Sequence, residues 1–284
     1  MIDANGVELC TEPFGGSTAP PILLIAGVGS SMLWWEEALC RKLADAGRFV
    51  IRYDQRDTGR SITYEPGRPR YTGADLVADA AGVLDAYRIA AAHVVGVSAG
   101  GGCAQLLGLD YPGRVLSLVL ISTSPATPTD RELPPPTEEF GRFVSNAAVD
   151  WSDADSVVDY LVGYSRVLAG GGRPFAEDAI RDLVRLDIER ARNFAAAQNH
   201  DVLPEGESST KPLSSIAAPT LVMHGTADPM FPIEHGEALA QGIPGATLLR
   251  LEGAGHGVER ADWDRIVPAI LAHTAAHQRA GDEG

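Results

Sequence analysis

Gly96-Val97-Ser98-Ala99-Gly100 sets a serine among small residues in the pattern G-x-S-x-G. Gly and Ser are common, so the pentapeptide alone says little, and its setting carries the weight. His93-Val-Val-Gly-Val97 reads as a short buried strand, and a helical pattern begins at Ala99. A serine at such a junction is held in a strained backbone conformation that lifts its hydroxyl above a sheet. Small neighbours let strand and helix pass closely, and the helix N-terminus aims its amides and positive dipole at the reacting centre. The competing reading is a plain glycine-rich βα turn. Ser98 is the candidate nucleophile.

A serine hydroxyl needs a general base, and the base needs an orienting acid. Of the seven histidines, only His256 lies in a glycine-rich loop, Glu252-Gly-Ala-Gly-His256-Gly, just after a late strand. His93 begins a strand at the far end, and His224 reads as loop packing near the acid. His200 and His235 read as cap and helix-surface residues, and His273 and His277 as solvated. The candidate acid is Asp228 in His224-Gly-Thr-Ala-Asp228-Pro, although Asp before Pro also starts turns and caps helices. The order Ser…Asp…His is the one used when the serine sits on such an elbow. The rival acid position, after Ile121, holds Ser122-Thr-Ser-Pro and no carboxylate. Asp54 and Asp57 read as parts of a hydrogen-bonded supporting loop. Two backbone N–H groups are expected to receive the tetrahedral oxyanion: Ala99, next to the nucleophile, and Val28 in the loop Ala26-Gly-Val28-Gly-Ser30. Each such donor is worth roughly 3–4 kcal/mol in the transition state.

The elements that must position these groups follow from apolar patterning. Short apolar runs at Pro21–Ala26, Phe49–Tyr53, His93–Val97, Val115–Ile121, Thr220–Met223 and Thr247–Leu251 suit strands buried on both faces. A hairpin with an Asn5-Gly6 turn precedes them, its strands Ile2–Ala4 and Val7–Glu12. Helical spacing marks Ser31–Asp45, Gly73–Tyr87, Ala99–Tyr111, Ile233–Gln241 and Asp262–His277. Strand and helix alternating in this way predict an α/β fold with a mostly parallel sheet. From about Pro125 to Pro219 the alternation stops, and three helical runs appear at Glu138–Ala147, Asp155–Leu168 and Phe175–Gln198. The expected division is a core of residues 1–124 and 216–284 with a helical cap, 125–215, over the carboxyl edge where such sheets bind ligands.

Bulk properties narrow the partners. Thirty-eight acidic against 23 basic residues give a net charge of −15, which argues against nucleic acid and anionic membrane surfaces. Cys10, Cys40 and Cys103 form no C-x-x-C pair, no basic-then-apolar leader opens the chain, and no apolar run approaches the ~20 residues of a membrane span. A cytoplasmic protein is expected. Lys42 and Lys211 are the only lysines, a skew that with abundant Ala and Gly suggests a high-GC bacterial coding sequence.

Over nearly its whole length the chain resembles the α/β-hydrolases: the first half-sheet, the elbow, the helical cap, then Gly225-Thr-Ala-Asp228-Pro and Gly253-Ala-Gly-His256. More narrowly, VIRYDQRDTGRS, HVVGVSAGG and APTLVMHGTADPMFPIEHGEAL are similar to methylesterases of anthracycline biosynthesis, of the aclacinomycin methylesterase type. The resemblance implies a cofactor-free serine esterase acting on a small-molecule ester. Two departures stand out. Many relatives carry His-Gly where this chain has Ala26-Gly27, and the cap matches least. Phe140, Phe143, Trp151, Tyr160 and Tyr164 either line an apolar substrate pocket or pack the cap on itself, and Trp34 or Trp35 follows the oxyanion loop closely enough to wall it. The substrate-contact assignment is Trp34, Phe140, Phe143 and Tyr164. A serine nucleophile argues against dehalogenase and epoxide-hydrolase chemistry, which uses Asp there. Lactone or thioester cleavage, a cofactor-free perhydrolase or haloperoxidase, and a receptor without turnover share the same residues. The pattern selects neither a monomer nor a homodimer.

Overall fold

The computed structural model describes residues 1–129, 131–204 and 209–277. Its strands are β1 (Ile2–Ala4), β2 (Val7–Leu9), β3 (Thr11–Phe14), β4 (Pro21–Ile25), β5 (Phe49–Tyr53), β6 (Ala92–Val97), β7 (Val115–Ile121), β8 (Thr220–Gly225) and β9 (Thr247–Leu251). The helices are α1 (Glu37–Asp45), α2 (Gly73–Ala86), α3 (Ala99–Asp110), α4 (Glu138–Asn146), α5 (Ala154–Leu168), α6 (Glu177–Arg190), α7 (Ile233–Gly242) and α8 (Trp263–Ala276).

β1 and β2 pair as a hairpin, and Asn5 and Gly6 take φ of 52° and 74°, the two positive angles of a type I′ turn. The expected strand Val7–Glu12 is broken at Cys10. There the N–H donates to Ser61 Oγ and the carbonyl accepts from Asp54 N–H, so the chain leaves the hairpin and joins the main sheet as β3. That sheet runs β3-β5-β4-β6-β7-β8-β9, with β3 antiparallel and the rest parallel. Alternate residues of each strand feed opposite cores. Leu23, Ile25, Ile51, Val94 and Leu120 join residues of α2, α3 and α7 on one face. Ile22, Leu24, Val50, Val95 and Ile121 join Trp35, Leu39 and residues of α8 on the other.

Two expected helices are interrupted by tertiary bonds. Instead of one helix over Ser31–Asp45, a 3-10 turn covers Met32–Trp34 and α1 starts at Glu37. Met32 N–H donates to Asp54 and Trp35 O accepts from Arg52, so buried side chains take backbone groups that a continuous helix would pair. The run Phe175–Gln198 likewise divides. After α6, Ala191 turns extended, Arg192 N–H bonds Gly59 O, and a 3-10 run covers Phe194–Asp201. All three helices α4–α6 fall between β7 and β8. Val158, Val162 and Val184 form a small core there, separate from the two sheet cores, with Trp34 and Phe175 packed against it.

Candidate active site

Ser98 directly follows β6 and precedes α3, with φ 54° and ψ −124°. That conformation is costly for an L-residue and persists only where the surroundings enforce it. They do so by close packing. A methyl group at Gly96 would strike Gly100 O, one at Gly100 would strike the carbonyls of Ile25 and Ala26, and one at Gly101 would strike Thr123. Ser98 N–H donates to Ile121 O, and its carbonyl accepts from Thr123 Oγ1 at 2.7 Å. Among the described residues the Ser98 hydroxyl has no protein hydrogen-bond partner, and the residue is partly exposed.

Asp228 and His256 meet across the ends of β8 and β9. His256 Nδ1 lies 2.8 Å from Asp228 Oδ2, while Asp228 Oδ1 accepts from the N–H groups of Met230 and Phe231, each at 2.9 Å. The Asp228 side chain is fully buried, so these bonds form away from water. Close approach of the two loops depends on glycine: a methyl at Gly225 would strike Ala254 O and Gly255 O. His256 N–H donates to Leu168 O at the end of α5 (2.8 Å), and Gly257 N–H donates to Ser122 Oγ (3.2 Å). Ser122 follows β7, whose Ile121 pairs in register with Val97 of β6, so the histidine loop reaches the strand end beside Ser98. His224 packs near the acid, as expected. Its Nε2 is 2.7 Å from Phe231 O, hence protonated there, and 3.5 Å from Asp228 Oδ2. Burial holds its pKa below the ordinary value, so it is a neutral neighbour.

The loop after β4 carries the candidate oxyanion donor Val28. Gly27 approaches the serine, since a methyl on it would lie 3.5 Å from Ser98 Cβ. Ser30 N–H donates to Gly27 O and Gly29 takes φ 62°, closing a tight turn with Val28 at its exposed corner. Ala99, the other candidate donor, is exposed beside Ser98 at the first position of α3, where an N–H has no intrahelical acceptor. Asp54 and Asp57 brace the neighbouring loop, as expected. Asp54 accepts from Met32 N–H and Arg60 N–H and pairs with Arg190 at 2.7 Å; Asp57 accepts from Tyr64 N–H, Tyr71 Oη and Asn199 Nδ2.

The aromatic candidates divide. Phe140, Phe143, Tyr160 and Tyr164 contact one another with ring centroids 5.8–6.3 Å apart, and Trp151 stands edge-on to Tyr160. They therefore pack α4 on α5. Phe140 is buried, whereas Phe143 and Tyr160 also line an open groove of about 670 Å³. Tyr164 is only partly exposed; burial, then Tyr160, Asp201 and Asp228, push its phenol up. Trp34 donates its indole N–H to Asp187 Oδ2 on α6 (3.1 Å), and Trp35 is buried in the sheet core.

His235 is not the helix-surface group that sequence reading expects, and His200, read as a cap residue, makes specific bonds to the core. His235 is buried, with Nδ1 2.8 Å from Ser124 Oγ and Nε2 2.9 Å from Pro134 O. His200 bonds the backbone of Gly29 and Arg56. Both sit on elements whose partners are distant in sequence, and no local pattern signals such contacts.

Known proteins resemble this chain in sequence and fold. The alpha/beta hydrolase fold family matches residues 20–153 and 173–258. Over 97% of its length the chain is 34% identical to rhodomycin D methylesterase of Streptomyces sp. strain C5, covering 98% of that protein, and the Streptomyces peucetius enzyme of the same name gives the same values. The solved esterase of Exiguobacterium antarcticum superposes with a TM-score of 0.77 at 20% identity, with 96% of this chain and 98% of that one covered. The chain belongs to the α/β-hydrolase family. Among its whole-length relatives are methylesterases of the kind that its motifs resemble.

Proposed function

We propose that this enzyme is a carboxylic ester hydrolase that cleaves a methyl ester or lactone of a small hydrophobic or polyketide-like molecule through an acyl-enzyme on Ser98. The single observation that carries this reading is the pairing of the strained serine elbow with the Asp228–His256 hydrogen bond at the same sheet edge. The full-length likeness to two methylesterases supports ester cleavage and favours the methyl ester.

In this mechanism His256 Nε2 takes the Ser98 proton as Oγ attacks the ester carbonyl. Asp228 keeps the imidazole in the tautomer with Nδ1 protonated and steadies the imidazolium. Val28 N–H and Ala99 N–H receive the oxyanion. Collapse breaks the bond to the alkoxy oxygen, which leaves as an alcohol carrying the proton from His256. Water, activated by the same histidine, then frees the acid and restores Ser98. Residues 125–215 act as a cap above the core formed by 1–124 and 216–284. Phe143, Tyr164 and Trp34 contribute to substrate contact from the cap and its margin, while Phe140, buried between α4 and α5, supports them. No membrane-crossing helix occurs among the described residues. Three free cysteines suit a cytoplasmic location.

A panel of methyl esters, lactones and short-chain nitrophenyl esters tests the reading with wild type and Ser98→Ala. Wild-type turnover is expected, with kcat lower by several orders of magnitude in the variant. Equal rates in both would remove Ser98 from the chemistry, and an inert wild type would favour a receptor.

A further inference from the structure

Where the helical insertion returns to the core, its 3-10 run Phe194–Asp201 lies against the loop after β4. A methyl on Gly29 would stand 3.4 Å from Ala197 O. His200 closes this contact. Its Nδ1 is 3.1 Å from Gly29 N, and its Nε2 is 2.8 Å from Arg56 O. Gly29 N–H can only donate and a carbonyl can only accept. One neutral tautomer satisfies both, with the proton on Nε2 and the lone pair on Nδ1.

The bond falls at a consequential place in the turn. Gly27 O accepts from Ser30 N–H, and Gly29 has φ 62°. Positive φ at the third residue marks the type II arrangement, which differs from type I in the orientation of the central peptide. That central peptide joins Val28 to Gly29. Its N–H is held by His200, and its carbonyl by Ser30 Oγ at 3.3 Å. The next peptide back carries Val28 N–H.

We propose that His200 is a positioning residue: by accepting Gly29 N–H it holds the loop in the shape that aims Val28 N–H at the carbonyl above Ser98, so the insertion's returning end tunes oxyanion stabilisation. This rests on the serine-hydrolase reading. His200 itself touches neither substrate nor reacting atoms. A protonated imidazole would set an N–H against Gly29 N–H and lose the bond. The groups around the ring are few. Tyr71 stands edge-on at 6.3 Å, Asp57 is engaged by Tyr71 and Asn199, Asp201 follows in the chain, and the Arg56 guanidinium is taken up by Asp79. Burial keeps the imidazole below its ordinary pKa, against the pull of the Arg56 carbonyl, Asp57 and Asp201, so the bond is lost only on the acid side.

His200→Ala and His200→Asn test this, assayed across pH on a short-chain nitrophenyl ester beside wild type and Ser98→Ala. Asn offers a carbonyl oxygen near the Nδ1 position and does not titrate. His200→Ala is expected to lower kcat about tenfold with KM little changed, less than the loss of an entire oxyanion donor, and His200→Asn to recover most of it. On the acid side, wild-type kcat/KM should show an additional step of about tenfold where His200 takes up its proton, and His200→Asn should lack that step. Counting sites by the acyl-enzyme burst separates misfolded protein from slowed sites. An unchanged per-site kcat in His200→Ala, or the same additional acid step persisting in His200→Asn, would overturn the proposal. Wild-type activity in Ser98→Ala would instead overturn the serine-hydrolase reading.

Discussion

At Asp228 the two carboxylate oxygens are divided between backbone and imidazole: Oδ1 takes two N–H groups, and Oδ2 faces His256 Nδ1. The division fixes the direction of the carboxylate, and through it the tautomer of His256, the proposed base. Asp228→Asn keeps the shape but can present an N–H where an acceptor is needed. We expect kcat to fall by about 10⁴-fold with KM little changed, read by steady-state kinetics. An unaltered rate would place the acid elsewhere. Sequence order and spacing single out Ser98, Asp228 and His256 because each sits in a short turn beside a recognisable strand, and their roles as nucleophile, acid and base are part of the proposal above. His200 was not legible, because its acceptor role depends on Gly29, 171 residues away in the chain.

Between elements, the end of α5 holds both loops proposed to carry the acid and the base. Leu168 O accepts from His256 N–H, and Gly170 packs so closely on Ala227 that a methyl there would strike Ala227 O. Gly255 lies under the same helix end, where a methyl would strike Leu168 O and the Ala169 backbone. Gly255→Ala must therefore shift the histidine loop or the helix. It should cost about 1–3 kcal/mol in denaturant unfolding, as overpacking does. A simultaneous fall in kcat is expected because His256 follows directly. Helix existence was readable from apolar spacing, but helix interruption was not. Ser31–Asp45 breaks because Asp54 and Arg52, brought in by β5 and the loop after it, capture backbone groups at Met32 and Trp35.

For the whole molecule, two buried groups set opposing pH dependences. Burial, with Arg48, His273 and His277 adding to it, pushes His93 from 6.5 down to about 4. The unfolded chain then binds the extra proton as pH falls from 6.5 to 4, so this group withdraws about 3 kcal/mol of stability across that window. Asp187 runs the other way. Burial raises it from 3.8 to about 6 against its bond from Trp34. The folded state binds its proton first, so Asp187 returns about 3 kcal/mol as pH falls from 6 to 3.8. Urea unfolding at several pH values should thus show Asp187→Asn losing stability toward pH 4 more steeply than wild type, and His93→Gln less steeply. Parallel curves for all three would refute the assignment.

The sequence by itself determined the α/β alternation, the elbow at Ser98 and the order of its proposed partners, because these depend on neighbours within a few residues and on the two-residue and 3.6-residue periods. Tertiary structure decided what those periods do not encode. It set where β2 gives way to β3 at Cys10, how the aromatic residues of α4 and α5 meet, and which distant groups His200 and His235 bond. Such choices are made between segments far apart in the chain, where packing and the need to pair every buried polar group outweigh local preference.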